Sequence, residues 1–200
     1  MILYDLTDSE HHPSYQALAF SNGERQFSFL QSIVGAAIET NQTFLSNVLI
    51  KALNFHAITC LHTTAGQYRP CEVQVGNHVP PAHFRVSSLM ENFINAVNRD
   101  WQNSDPILLG AYILWRLNYI HPFENGNGRT ARAACYFAIC SSVGGWLPGS
   151  PILPSRLKLN NDEHLAAIHH ADHTFKSGAL DLSLLHELIS RLLTEQLAEA

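Results

Sequence analysis

Between residues 121 and 132 the chain reads His-Pro-Phe-Glu-Asn-Gly-Asn-Gly-Arg-Thr-Ala-Arg, and an apolar, helix-forming run follows at once. Gly126 and Gly128 carry no Cβ, so their backbone N–H groups can come close to a ligand. The helix behind them offers unpaired N-terminal donors and the positive end of its dipole. Arg129 and Arg132 stand i, i+3 on that helix and can converge on one anion; their planar forks match phosphate oxygens and keep their charge. His121, just ahead of the loop, is the one side chain of the segment that ordinarily titrates near neutrality. Taken singly, these parts are a surface turn, a glycine loop and a solvated helix face. Joined in this register, they are the chemistry of gripping a phosphate chain while a neighbouring group loses a proton.

The elements that must position this stretch are mostly helices. Phe27, Leu30, Val34, Ala37 and Ile38 recur at helical spacing and predict a helix over 24–40, and a second is expected over 43–62. Helical patterns return over 86–99 and over 106–119, where Leu108, Leu109, Tyr112, Ile113 and Leu117 form one apolar face. An Ala-rich helix over 127–142 carries the two arginines and stops at Gly144-Gly145. Pro148, Pro151 and Pro154 then mark a loop, and helices over 162–174 and 181–198 close the chain. Between Gly66 and Val79 apolar and polar residues alternate around Val73, Val75 and Val79, which predicts a short β-hairpin or extended flap with Gly76-Asn77 as its turn. Residues 1–24, with Pro13 and Gly23, read as a polar, irregular extension before a single domain over 25–200. The fold class is mainly α, a helical bundle with a small β-hairpin flap.

Composition narrows the function. The chain has 200 residues, 46% hydrophobic and 14% charged, with a net charge of −5 and only 12 Lys and Arg, so a globular protein is expected and a nucleic-acid binder is not. Cys60, Cys71, Cys135 and Cys140 show no pairing pattern and are expected reduced and buried. No apolar stretch approaches the length of a bilayer span, and acidic residues stand where a signal peptide would be basic. A cytoplasmic protein with no membrane partner is expected, and delivery into another cell by a secretion system is compatible with the same features.

With His121, Pro122, Phe123, Gly126, Asn127, Gly128, Arg129 and Arg132 in register, the segment resembles the signature H-P-F-x-(D/E)-G-N-G-R-x-x-R of the Fic proteins. The resemblance implies a Fic-type helical bundle and transfer of AMP from ATP to a Ser, Thr or Tyr hydroxyl of a target protein. It makes His121 the general base, gives the α-phosphate to Asn127 and the N–H groups around Gly126 and Gly128, and gives the β- and γ-phosphates to Arg129 and Arg132. Asn125 departs from the signature: the family's acidic residue there binds Mg²⁺, and a neutral amide is a weaker ligand for a hard cation. A lower Mg²⁺ affinity or a lower transferase activity is therefore expected.

Residues 35–41, Gly-Ala-Ala-Ile-Glu-Thr-Asn, resemble the inhibitory helix of autoinhibited Fic proteins, (S/T)-x-x-x-E-(G/N), with Gly35 and Thr40 as departures. The resemblance implies that Glu39, ending a helix over about 25–41, reaches Arg132 and blocks the γ-phosphate position. The flap over 66–79 has a family counterpart that aligns the target's backbone by strand addition, which places Tyr68, Arg69 and Val75 beside the site. Two further readings follow from the same resemblance: removal of AMP by the same site, and a catalytically weak nucleotide-binding regulatory partner. A homodimer also fits it. Apart from the resemblance, His169 and His173 lie i, i+4 near His164, His170 and Asp172, the spacing of a metal-dependent phosphohydrolase, though without a fixed third ligand. Within the family framework this region borders the nucleotide base, with His164 placed to stack on adenine.

Overall fold

Asp105 opens the run at 106: its carboxylate accepts the Leu108 N–H at 2.8 Å, Pro106 follows in the first turn, and the result is helix α5, Pro106–Ile120. In the computed structural model, which describes residues 2–76 and 78–200, eight other α-helices are described: α1 Leu3–Thr7, α2 Pro13–Glu39, α3 Asn47–Ile58, α4 Val86–Asp100, α6 Asn127–Val143, α7 Leu153–Leu159, α8 Asn161–Lys176 and α9 Ser183–Ala198. Short 3₁₀ turns, His83–Arg85 and Trp101–Asn103, flank α4. The mainly helical expectation holds.

Helices α5 and α6 form the centre. Twelve of the 17 residues of α6 are buried, and the small residues among them let α5 come close: a Cβ on Gly110 would meet Ile139 Cδ1 at 2.8 Å. One contiguous core then runs from Leu30 of α2 to Leu193 of α9. Helix α2 lies against α3 and α6, α4 against α5, and α7, α8 and α9 close the far side. The packing thus holds both ends of the signature segment, one on α5 and one on α6.

Four expectations change. The stretch before residue 25 is not irregular among the described residues: α1 forms, and His12 caps α2 by accepting the Ser14 N–H on Nδ1 at 3.2 Å, with Pro13 in the first turn. The proline-marked loop contains α7, because Pro154 falls in a first turn where its missing N–H costs nothing. The hairpin over 66–79 shrinks to one antiparallel bridge, in which Val75 and His78 exchange N–H···O bonds of 3.0 and 2.9 Å around Gly76 (φ 56°); Asn77 of the expected turn lies outside the described residues. All four cysteines are free, but Cys60 and Cys71 are exposed where burial was expected. Among the described residues no helix is long and apolar enough to cross a membrane.

Candidate active site

Helix α5 ends at His121, which takes the left-handed conformation (φ 50°, ψ 61°) and gives its N–H to Leu117 O at 3.0 Å. A non-glycine residue held there costs backbone energy, so the surroundings must fix it. They do: Arg69 Nε donates to His121 O at 2.8 Å and the Arg69 N–H to Pro122 O at 2.9 Å. Burial pushes the His121 imidazole down to about 4, the nearby His78 and Arg69 push the same way, and a bond to the Asn118 backbone opposes them. His121 is therefore neutral at physiological pH.

The loop beyond it is clamped from three sides. Phe123 is fully buried, and Asn127 binds both of its backbone groups, accepting the N–H at 2.9 Å and donating to the carbonyl at 2.8 Å. Asn54 of α3 donates to Asn125 O at 2.9 Å and accepts the Gly66 N–H at 2.9 Å, tying the loop to the start of the flap. Gly126 has φ 75°, and a Cβ there would stand 2.8 Å from Ile58 Cγ2, so both the conformation and the space demand glycine. Gly126 is also the N-cap of α6, and no side chain caps that helix. The first backbone bond of α6 is Thr130 N to Gly126 O. The N–H groups of residues 127–129 are left pointing out of the helix start, a site for an anion.

Arg129 and Arg132 both line a cleft of about 960 Å³ between α2, the start of α6 and α7. They are not equivalent. Arg129 donates to Ala57 O at 2.8 Å and to Asn125 Oδ1 at 3.1 Å, so part of its fork is fixed on the fold. Arg132 makes no hydrogen bond or ion pair among the described residues. Burial first and the charge of Arg129 second lower it to about 10, which leaves it protonated at neutral pH. His121 is not among the cleft residues; residues 122–128 connect the two.

Asn127, expected to bind the α-phosphate, has its side chain engaged inside the loop, and only its N–H remains for a ligand. Asn125 is engaged twice, its Oδ1 by Arg129 and its Nδ2 by Glu10 Oε1 at 2.7 Å. Glu124 is tied to Thr64 at 2.6 Å. Glu39 is exposed at the end of α2, nine residues past Leu30, the last cleft residue of that helix, or about 13 Å along its axis. The structure does not bring Glu39 to Arg132, because α2 runs on through Glu39 and the middle of the helix faces the arginines. The carboxylates lining the cleft are Glu10 and Glu24, with Lys158 opposite in charge. Of the flap residues, Tyr68 packs on Phe123 with ring centroids 5.6 Å apart, Arg69 is buried against His121, and Val75 is exposed.

The late histidines do not form a metal centre: among the described residues no group of three or more His, Cys, Asp or Glu could hold an ion. His170 pairs with Asp181 at 2.8 Å, and Asp172 accepts the Trp115 Nε1–H at 2.8 Å. His164 is 3% exposed with both ring nitrogens unpartnered, and burial, then Arg132, lower it to about 4. Its folded form is neutral while its unfolded form protonates near 6.5, so the unfolded chain binds more protons on acidification. Its stabilising contribution is complete above about pH 6.5 and is lost as pH falls from there toward 4. Thermal melts at pH 7.5, 6 and 5 are expected to show this loss, with His121 contributing in the same sense. His164→Phe, which cannot titrate, flattens the acid loss; an unchanged pH slope in that variant overturns the assignment.

The chain resembles known proteins in sequence and in fold. The model of the Fic/DOC family matches residues 44–139. A protein adenylyltransferase Fic from Drosophila grimshawi is 41% identical over 68 residues, 34% of this chain and 14% of that protein. One from Nematostella vectensis is 44% identical over 69 residues, 34% of this chain and 16% of the relative. The match thus covers about a seventh of the length of these relatives. Among solved structures, a Fic-domain signalling protein from Bacteroides thetaiotaomicron superposes with a TM-score of 0.68 at 19% identity, over 88% of this chain and 69% of the other. A Fic protein from C. elegans superposes with a TM-score of 0.69 at 20% identity, over 88% and 48%. At such identities the likeness is one of fold.

Proposed function

We propose, from the match of the Fic/DOC family model to residues 44–139, that the chain is a Fic-type protein adenylyltransferase, moving AMP from ATP to a Ser, Thr or Tyr hydroxyl of a target protein. The observation that carries this reading is the open start of α6, uncapped between His121 on one side and the Arg129–Arg132 cleft on the other. ATP lies with its β- and γ-phosphates toward Arg132 and the free donors of Arg129. Its α-phosphate then sits at the N–H groups of residues 127–129, where the helix end balances charge redistributed in the transition state. His121, neutral, takes the proton of the attacking hydroxyl. The hydroxyl oxygen bonds to the α-phosphorus, the bond from that phosphorus to the bridging oxygen breaks, and pyrophosphate leaves.

The Mg²⁺ that the resemblance implies does not fit Asn125 as it stands. The one oxygen able to coordinate already accepts from a guanidinium, and that cation repels another. Neutralisation of the phosphates rests here on the arginines and the helix start. Glu10 and Glu24 oppose a triphosphate in the same cleft, a role the resemblance assigns to Glu39.

The test is transfer of label. With ATP labelled at the α-phosphorus, protein becomes labelled and pyrophosphate is released; with label at the γ-phosphorus, protein does not. Label from the γ-position on protein, or none from either, overturns the reading. Release of AMP from a premodified protein without incorporation would favour the reverse reaction.

A further inference from the structure

Arg69 does more than lie beside the site. Its side chain is buried, and its guanidinium donates to three backbone carbonyls: Cys71 at 2.8 Å, Pro81, and His121 at 2.8 Å. Cys71 and Pro81 are the two feet of the flap, and His121 is the residue at which α5 ends. Glu72 reinforces one foot, approaching Arg69 Nη1 at 3.4 Å and binding His83 Nδ1 at 2.8 Å beyond the other foot. A second anchor sits near the tip. His78, whose backbone closes the bridge with Val75, bonds Tyr119 O through Nε2 at 2.9 Å, two residues before His121. A carbonyl can only accept, so Nε2 carries the proton, and Nδ1 faces the Asp172 carboxylate at 3.7 Å. Between these anchors Glu72, Val73 and Gln74 take no backbone partner among the described residues, which leaves an open edge for an added strand.

We propose that Arg69 is a positioning residue for the acceptor hydroxyl: by binding both feet of the flap and the His121 carbonyl, it fixes the distance between the flap's open edge and the His121 ring. The proposal rests on the transferase reading above. It follows from geometry. A target strand paired to the flap is in register with the flap, and the base is in register with α5, so the one group bonded to both sets their separation. A lysine cannot replace it, because one ammonium on a flexible stem does not reach three carbonyls in fixed directions. A displacement of about 1 Å at the reacting atoms is enough to cost on the order of 10²-fold in rate.

Water needs no flap to reach the α-phosphorus, whereas a protein hydroxyl does, and this separates positioning from simple structural support. The full chain is incubated with α-labelled ATP, and two products are counted: AMP on the chain's own hydroxyl side chains, and free AMP from hydrolysis. In Arg69→Lys the ratio of free to transferred AMP is expected to rise at least about tenfold, and amide exchange over residues 71–79 is expected to accelerate while α5 and α6 stay protected. Support without positioning would lower both products in proportion to the folded fraction, and a constant ratio therefore overturns the proposal. If Arg69→Lys does not fold, His78→Ala, which releases only the tip, is expected to shift the ratio in the same direction, and an unchanged ratio there overturns it equally. A parent chain that makes neither product refutes the transferase reading itself; a parent that labels, with Arg69→Lys labelling in the same ratio, refutes only the role of Arg69.

Discussion

His121→Ala is expected to transfer AMP about 10²–10⁴ times more slowly than the parent chain, the span usual for loss of a general base, while still binding ATP. The separation follows from the layout. The phosphates belong to the cleft and to the start of α6, and His121 is outside the cleft, so removal of its ring leaves the arginines and the helix donors in place. Equilibrium binding of ATP and the rate of labelling, measured on the same samples, check it. Loss of both together would place His121 in binding, and loss of neither would remove it from the reaction. The pH dependence carries a second signature. With the free ring lowered to about 4 by burial, the active neutral form persists well below pH 6.5, so kcat/KM is expected to stay level down to about pH 5. Bound nucleotide adds negative charge near the ring and favours its protonated form, which moves the acid limb of kcat to higher pH than that of kcat/KM. The acid loss of stability described for His164 overlaps this window, so the folded fraction is measured at each pH.

What was readable in the sequence and what was not divides along physical lines. Helices α4, α5, α6, α8 and α9 were foreseen within two residues at each end, because each presents apolar residues at helical spacing and most carry a boundary residue such as Pro106 or Gly144. The first half of α2 was missed for a specific reason. Its inner face carries Asn22 and Gln26, both buried, which bond Thr59 O at 2.9 Å and Leu53 O at 2.8 Å. Amides at core positions read as solvent-facing in a pattern built on apolarity, though the interior accepts them where their N–H groups bond backbone carbonyls, as both do here; Asn22 Oδ1 alone is left without a partner among the described residues. The spacing Tyr15, Asn22, Gln26, Leu30 was the available signal.

The same half of α2 lines the cleft with Tyr15, Gln16, Ala19 and Phe20, so the polar face that hides this helix in the sequence also hides one wall of the site. Glu39 is singled out by its resemblance to an inhibitory motif, a local pattern that does not say which part of α2 meets the arginines; with α2 starting at Pro13, Glu10 and Glu24 line the cleft and Glu39 does not. Local order in the signature segment was legible because all of its parts lie within twelve residues. Long-range partners were not. Asn54, 71 residues before Asn125, and Asp172, 94 residues after His78, have no local pattern that marks them.

Asn127→Ala is expected to destabilise the chain by about 2–6 kcal/mol, the sum for two buried backbone groups left without partners at about 1–3 kcal/mol each. The Asn127 side chain is 4% exposed and reaches no ligand space; it clasps the N–H and the carbonyl of Phe123, whose ring is anchored in the core. At 200 residues, with about 2–4 °C per kcal/mol, this corresponds to a fall in Tm of about 4–24 °C. Asn127→Asp keeps the acceptor for the Phe123 N–H but sets a carboxylate oxygen against the Phe123 carbonyl, so a loss of similar size is expected. The comparison decides between two functions for one residue. A side chain that only held the α-phosphate would leave Tm within about a degree when cut to alanine, and the transfer rate alone would drop. A brace lowers Tm and rate together in both variants, because the loop that carries the N–H groups of residues 127–129 loses the clasp that sets its path from His121 to α6.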